Sequence, residues 1–166
     1  IVTYVANDAI AAISSPLLNP GTDSEPQNLF PELNSNTFIL PRDLGEIRFS
    51  KVGGSNNFVV HIQDAHCNKY AQESINKILE YLNSEYGINM INLEGGDGEY
   101  NTDVFTYIED DDVRAKVAEY FVEKGLINGG ELYKIINPEK SKLWGVEDSK
   151  LYLKNLDVYR KTTKEQ

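Results

Sequence analysis

The chain of 166 residues and 18.7 kDa suits one ordinary domain, and with 40% hydrophobic and 25% charged residues it can build a core, which argues against global disorder. Sixteen basic against 26 acidic residues give a net charge of -10 and a pI ≈ 4.6, so a broad face for nucleic acid or anionic lipid is not expected. A single cysteine, Cys67, excludes an internal disulfide framework and a cysteine-rich zinc site, and no apolar run approaches the roughly 20 residues that cross a bilayer.

In chain order, Ile1, Val5, Ala9 and Ala12 fit one helical face, so a short amphipathic helix is expected over residues 1–13. Five of the six prolines (Pro16, Pro20, Pro26, Pro31 and Pro41) then fall within 14–43, a density that blocks helices and sheet interiors. An extended proline-rich N-terminal arm is expected, with Leu29-Phe30 and Phe38-Ile39-Leu40 as apolar anchors for a domain or a partner. Residues 1–43 are therefore set apart from an α/β domain over 44–166, itself expected to be a fragment or half of a larger fold. The chain opens on Ile1 and its sole methionine is Met90, as in a processed or trimmed chain, which points toward an exported or periplasmic protein.

From Leu44 the pattern is globular. Alternation over Gly45–Val52, with Ile47 and Phe49 on one side, predicts a half-exposed strand, and Phe58–Ile62 predicts a strand buried on both faces. Asn68–Glu85 carries Ala71, Ile75, Ile78, Leu79 and Leu82 on one stripe and ends at Gly87, the mark of a helix. Ile88–Leu93 is a second buried strand. Asp110–Lys124 is a second helix, with Val113, Val117 and Phe121 facing inward and acidic residues at its start. Gly129-Gly130 opens a short helix through Ile136, Lys142–Val146 is a third strand, and Ser149 caps a last helix with Leu151, Tyr152, Leu156 and Tyr159 inside. This rhythm predicts an α/β fold with a mainly parallel sheet flanked by helices.

In such sheets ligands sit beyond the carboxyl ends of the strands. The three core strands run into Gln63-Asp64-Ala65-His66-Cys67, into Glu94-Gly95-Gly96-Asp97, and into Glu147-Asp148. Parallel strands bring these ends to one edge, so His66, Glu94 and Glu147 are expected to converge as a metal-binding or catalytic set. His66 serves as general base or metal ligand, oriented by Asp64, or else as a helix-capping histidine. Glu94 is a metal ligand or acid–base group, or else a solvated turn residue; Gly95 and Gly96 let backbone approach a ligand or cofactor. Glu147 is the third candidate ligand, with Asp148 or Ser149 as an ordinary N-cap. His61 reads as a core or interface histidine, Trp144 as core packing, and Gly145 as a close helix–strand approach. Asp97, Glu99 and Asp103 read as turn and capping residues, and Cys67 as an inert thiol.

Val60-His-Ile-Gln-Asp-Ala-His66, then a long helix, then Ile91-Asn-Leu-Glu94, followed by Asn128-Gly-Gly-Glu-Leu-Tyr133 and Leu143-Trp-Gly-Val-Glu-Asp148, resembles the first half of the erythromycin esterase, ChaN and TraB/Tiki superfamily. The likeness spans roughly residues 57–155. It implies ester hydrolysis, metal-dependent peptide hydrolysis or haem binding, with further site residues from a second half. Two functions stay open beside haem binding with His66 as axial ligand. One is a hydrolase-type site using a divalent metal. The other is a non-catalytic structural or interaction subunit with a degenerate site, for which the arm and the ten tyrosines speak. The expected partner is another protein chain, or the missing second half, contacting the arm.

Overall fold

The computed structural model describes residues 3–6, 37–52, 57–64 and 68–164. Its five strands are β1 (Thr3–Ala6), β2 (Val59–Ile62), β3 (Met90–Leu93), β4 (Asp97–Glu99) and β5 (Lys142–Val146); its helices are α1 (Lys69–Tyr86), α2 (Asp111–Glu123), α3 (Gly129–Ile136) and α4 (Ser149–Lys164), with a 3-10 turn at Asp103–Tyr107. The strands form one sheet in the order β2-β1-β3-β5-β4.

The fold is α/β, but the sheet is mixed. Only β3 and β5 pair in parallel; β1 is antiparallel to both β2 and β3, and β4 is antiparallel to β5. Two features account for the departure from a mainly parallel sheet. Residues 3–6, expected to be helical, form a strand that inserts between β2 and β3. The chain also reverses after β3 through Glu94-Gly95-Gly96, a connection too short for a parallel crossover. Gly95 takes a positive φ (91°) in this reversal, and Gly98 another (79°) within β4. It brings β4 to the far side of β5, where backbone meets backbone: a Cβ at Gly145 would overlap Gly96. The close approach expected at Gly145 is thus to the β3–β4 turn, not to a helix.

Helix α1 follows its sequence closely. The Asn68 carboxamide accepts from the Tyr70 and Ala71 amides at 2.9 and 3.2 Å, and Gly87, at φ 65°, returns its amide to Asn83. Its stripe (Ile75, Ile78, Leu79, Leu82, Tyr86) packs on Ile62, Ile91, Leu93 and Leu143 of the sheet and on Tyr133 of α3. Phe38, Leu40 and Leu44 close one end of this core. Phe38 sits 5.4 Å from the rings of Phe58 and Tyr86, while Ile39 turns its side chain outward and is fixed by its backbone to the Tyr81 and Tyr86 hydroxyls. The other arm anchor, Leu29-Phe30, lies outside the described residues.

Other local expectations fail as well. Residues 45–52 form no strand, and Ile47 and Phe49 are exposed: alternation names the face a strand would bury, not a neighbour offering an edge. In α2 the buried set is Arg114, Ala118 and Val122, one residue on from Val113, Val117 and Phe121. Arg114 turns inward because its guanidinium is satisfied there. Nε donates to Ile135 O (3.2 Å), Nη1 to Ile108 O (3.0 Å) and Nη2 to the Asp111 carboxylate. In α4, Leu151, Tyr152 and Tyr159 are exposed; of the two expected cap residues, Asp148 caps the helix by accepting from the Lys150 and Leu151 amides.

Helices α1 and α3 cover one face of the sheet; the opposite face carries Val59, Trp144 and Val146, each about half exposed. Trp144 therefore lies outside the core in which sequence alone placed it, and the exposed His61, read as a core or interface histidine, is not a core residue. No helix among the described residues is long and apolar enough to cross a membrane.

Candidate functional site

Because β1 opposes both β2 and β3, and β3 parallels β5, the strands β2, β3 and β5 all point the same way. Their carboxyl ends share one rim, which carries Asp64 after β2, Glu94 after β3 and Glu147 after β5. The N-terminus of α3 joins them. A Cβ on Gly130 would lie 2.8 Å from Leu93 Cδ2, and one on Gly129 would overlap the Gln72 carbonyl oxygen, so the paired glycines let this helix start directly over the end of β3.

Asp64 is half-buried and accepts from Gln72 Nε2 at 2.5 Å; Gln72 Oε1 in turn accepts from the Gly129 amide at 2.8 Å. The buried Gln72 thus ties the segment after β2 to the start of α3 and fixes how the Asp64 carboxylate is presented. That start is a full capping box. Asn128 Oδ1 accepts from the Gly130 and Glu131 amides, and Glu131 Oε2 accepts from the Asn128 amide at 2.8 Å. Burial raises the Glu131 carboxyl above its ordinary range, against the lowering effect of that bond.

On the β3–β5 side, Glu147 clasps the turn. Its amide donates to Gly96 O at 2.8 Å, and its Oε1 accepts from the Gly95 amide at 3.2 Å. Gly96 lies under the Tyr100 ring, where a Cβ would collide with the phenol. Burial, and then the negative charges of Glu131 and Glu147, raise the Tyr100 phenol above its ordinary value. Glu94 is exposed at the head of the same turn.

Of the sequence-predicted set, the rim gathers Asp64, Glu94, Glu147, Gly95 and Gly96. His66 lies outside the described residues, as do Ala65 and Cys67. Among the described residues no three His, Cys, Asp or Glu side chains form a group able to hold a metal ion, so Glu94 and Glu147 would need a further donor. Their oxygens suit a hard divalent cation rather than a soft one. Gln72, Tyr100 and Glu131 are rim residues that the candidate list missed. Gln72 had a signal, an amide at helical spacing from Ile75 and Leu79 within an apolar stripe, which requires a partner once buried. Tyr100 had none, since its place depends on how β4 crosses to β5. Searches of protein-family models, curated proteins and solved structures find no match for this chain.

Proposed function

We propose that this is a ChaN/TraB-like domain with a metal-dependent hydrolase-type site along the carboxyl-end rim. The observation that supports it is the common direction of β2, β3 and β5, which gives Asp64, Glu94 and Glu147 one edge. His66, two residues beyond Asp64, acts as base or metal ligand, Glu94 as ligand or acid–base group, and Glu147 as the ligand that also holds the turn. These residues would hold a divalent ion, and its chemistry there would be Lewis-acid activation of water for hydrolysis of an ester or amide. Asp64, held by Gln72, orients the imidazole.

The test is metal content and hydrolysis across an ester and peptide panel for the wild type, His66→Ala and Glu94→Ala. Each substitution is expected to lower turnover about 10²-fold or more and to reduce bound metal. Unchanged metal content together with unchanged hydrolysis overturns the proposal. The exposed apolar face of the sheet favours a second reading, a non-catalytic subunit of an assembly; an inert panel with a stable native oligomer would select it. Haem binding through His66 is a third reading, and it falls if haem addition gives no Soret band.

A further inference from the structure

Two exposed apolar surfaces on this molecule match each other. The first is the open face of the sheet. Directly opposed residues of an antiparallel pair share a face, so the β4–β5 register puts Glu99 beside Trp144 and Asp97 beside Val146, away from α1. Val59 of β2 lies on the same open side, as do the exposed His61 of β2 and Lys142 of β5, so the apolar patch is Trp144 with Val146, bordered by acids at β4. A parallel pair such as β3–β5 is ordinarily covered on both faces. The second surface is α4. Leu151, Tyr152, Leu153, Val158 and Tyr159 are each more than half exposed, and Lys150, Lys154, Arg160, Lys161 and Lys164 outnumber Asp157, the helix's one acid. A basic helix thus belongs to a chain whose net charge is -10, and the acidic excess resides in the remainder.

We propose that a second copy of this chain covers the open face, each copy laying its α4 across the other's sheet about a two-fold axis. The dimensions agree: 16 residues of α-helix run about 24 Å, and five strands at their usual spacing present a sheet about 19–24 Å across. The start of α4 is fixed at the β4 side, where the Ser149 amide donates to Asp97 Oδ2 at 3.3 Å and Asp148 caps the first turn. The helix therefore leaves the body at the border of the face that its counterpart occupies. A membrane is the other surface a basic amphipathic helix suits, but the acidic body opposes anionic lipid. This inference does not depend on the chemistry of the rim.

Trp144, the sole tryptophan, reports on the contact. The full chain is expected to be a dimer by native mass measurement and light scattering, with Trp144 emission shifting to longer wavelength on dilution. A helix variant (Tyr152→Asp with Val158→Asp) and a face variant (Trp144→Ala) should each weaken the dimer at least about tenfold. Both change exposed side chains, and circular dichroism verifies the fold; Val146→Asp serves as a second face variant. Mixing helix and face variants should restore heterodimers, because one intact helix then meets one intact face. A monomer at all accessible concentrations overturns the proposal, as does a dimer indifferent to either variant, a mixture that does not pair, or a monomer that binds phosphatidylserine vesicles through α4.

Discussion

Gln72 shows how one side chain can organise a rim. Its amide is buried between a carboxylate and a backbone N–H, with the NH₂ spent on Asp64 and the oxygen on Gly129. Gln72→Leu keeps the volume and the apolar stripe but leaves the buried Gly129 amide without its acceptor, at a cost of about 1–3 kcal/mol. Urea denaturation should show that loss, and an unchanged midpoint would contradict the bridging role. Glu131 gives a prediction whose sign depends on pH. Its folded-state carboxyl is raised by burial, so its ionisation costs stability that is intact below the ordinary carboxylate pKa and lost as pH rises through the folded value. Glu131→Gln retains an acceptor for the Asn128 amide and carries no charge. It should raise the melting temperature at pH 7, with the gain vanishing as the pH is lowered past the ordinary carboxylate range. Tyr133 follows the same sign in the alkaline range. Its hydroxyl is buried with no hydrogen-bond partner among the described residues, and burial, followed by the charge of Glu80, pushes the phenol up to about 12. Stability that depends on the neutral phenol is complete below about pH 10 and lost toward 12. Tyr133→Phe should be neutral or stabilising by up to about 1 kcal/mol at pH 7 and should hold its melting temperature further into alkali.

Elements were legible where the local pattern and the tertiary demand coincide. Helix α1 has a polar cap, an apolar stripe and a terminal glycine, and it buries that stripe. Helix α2 has the same kind of pattern, yet its buried face is rotated by one residue. Arginine is ordinarily a surface residue, and Arg114 turns inward because the carbonyls of Ile108 and Ile135 and the Asp111 carboxylate satisfy its guanidinium. Strand β4 is three residues of Asp, Gly and Glu, with no apolar content to announce it; it exists because Gly145 and Gly96 let two backbones touch. Gly145→Ala should therefore break that contact at about 1–3 kcal/mol. Hydrogen exchange should show lost protection at residues 97–99 while α1 stays protected, and protection equal to wild type would contradict the close approach.

At the scale of the molecule, the α/β class was readable and the topology was not. Periodicity tells which segments extend, but strand order is a matter of distant partners. The expected convergence of His66, Glu94 and Glu147 rested on parallel neighbours; the structure instead gives β2 and β3 a common direction through an antiparallel strand between them, so Asp64, Glu94 and Glu147 follow strands that end on one edge. Removing Ile1–Ala6 should leave β2 and β3 with exposed ladder edges. The shortened chain is expected to aggregate or to melt well below the full chain in calorimetry, and equal stability would show that β1 is dispensable.

The placing of β1 also bears on how the chain finds its shape. Ala6 sits opposite Val59, and Tyr4 opposite both His61 and Asn92. Helix α1 can assemble from neighbours in sequence, whereas this central ladder must gather segments separated by long stretches of backbone, whose entropy is surrendered before any bond is gained. Completion of the middle of the sheet is therefore expected to pace refolding, since it waits on four residues that lie more than fifty positions before their partners.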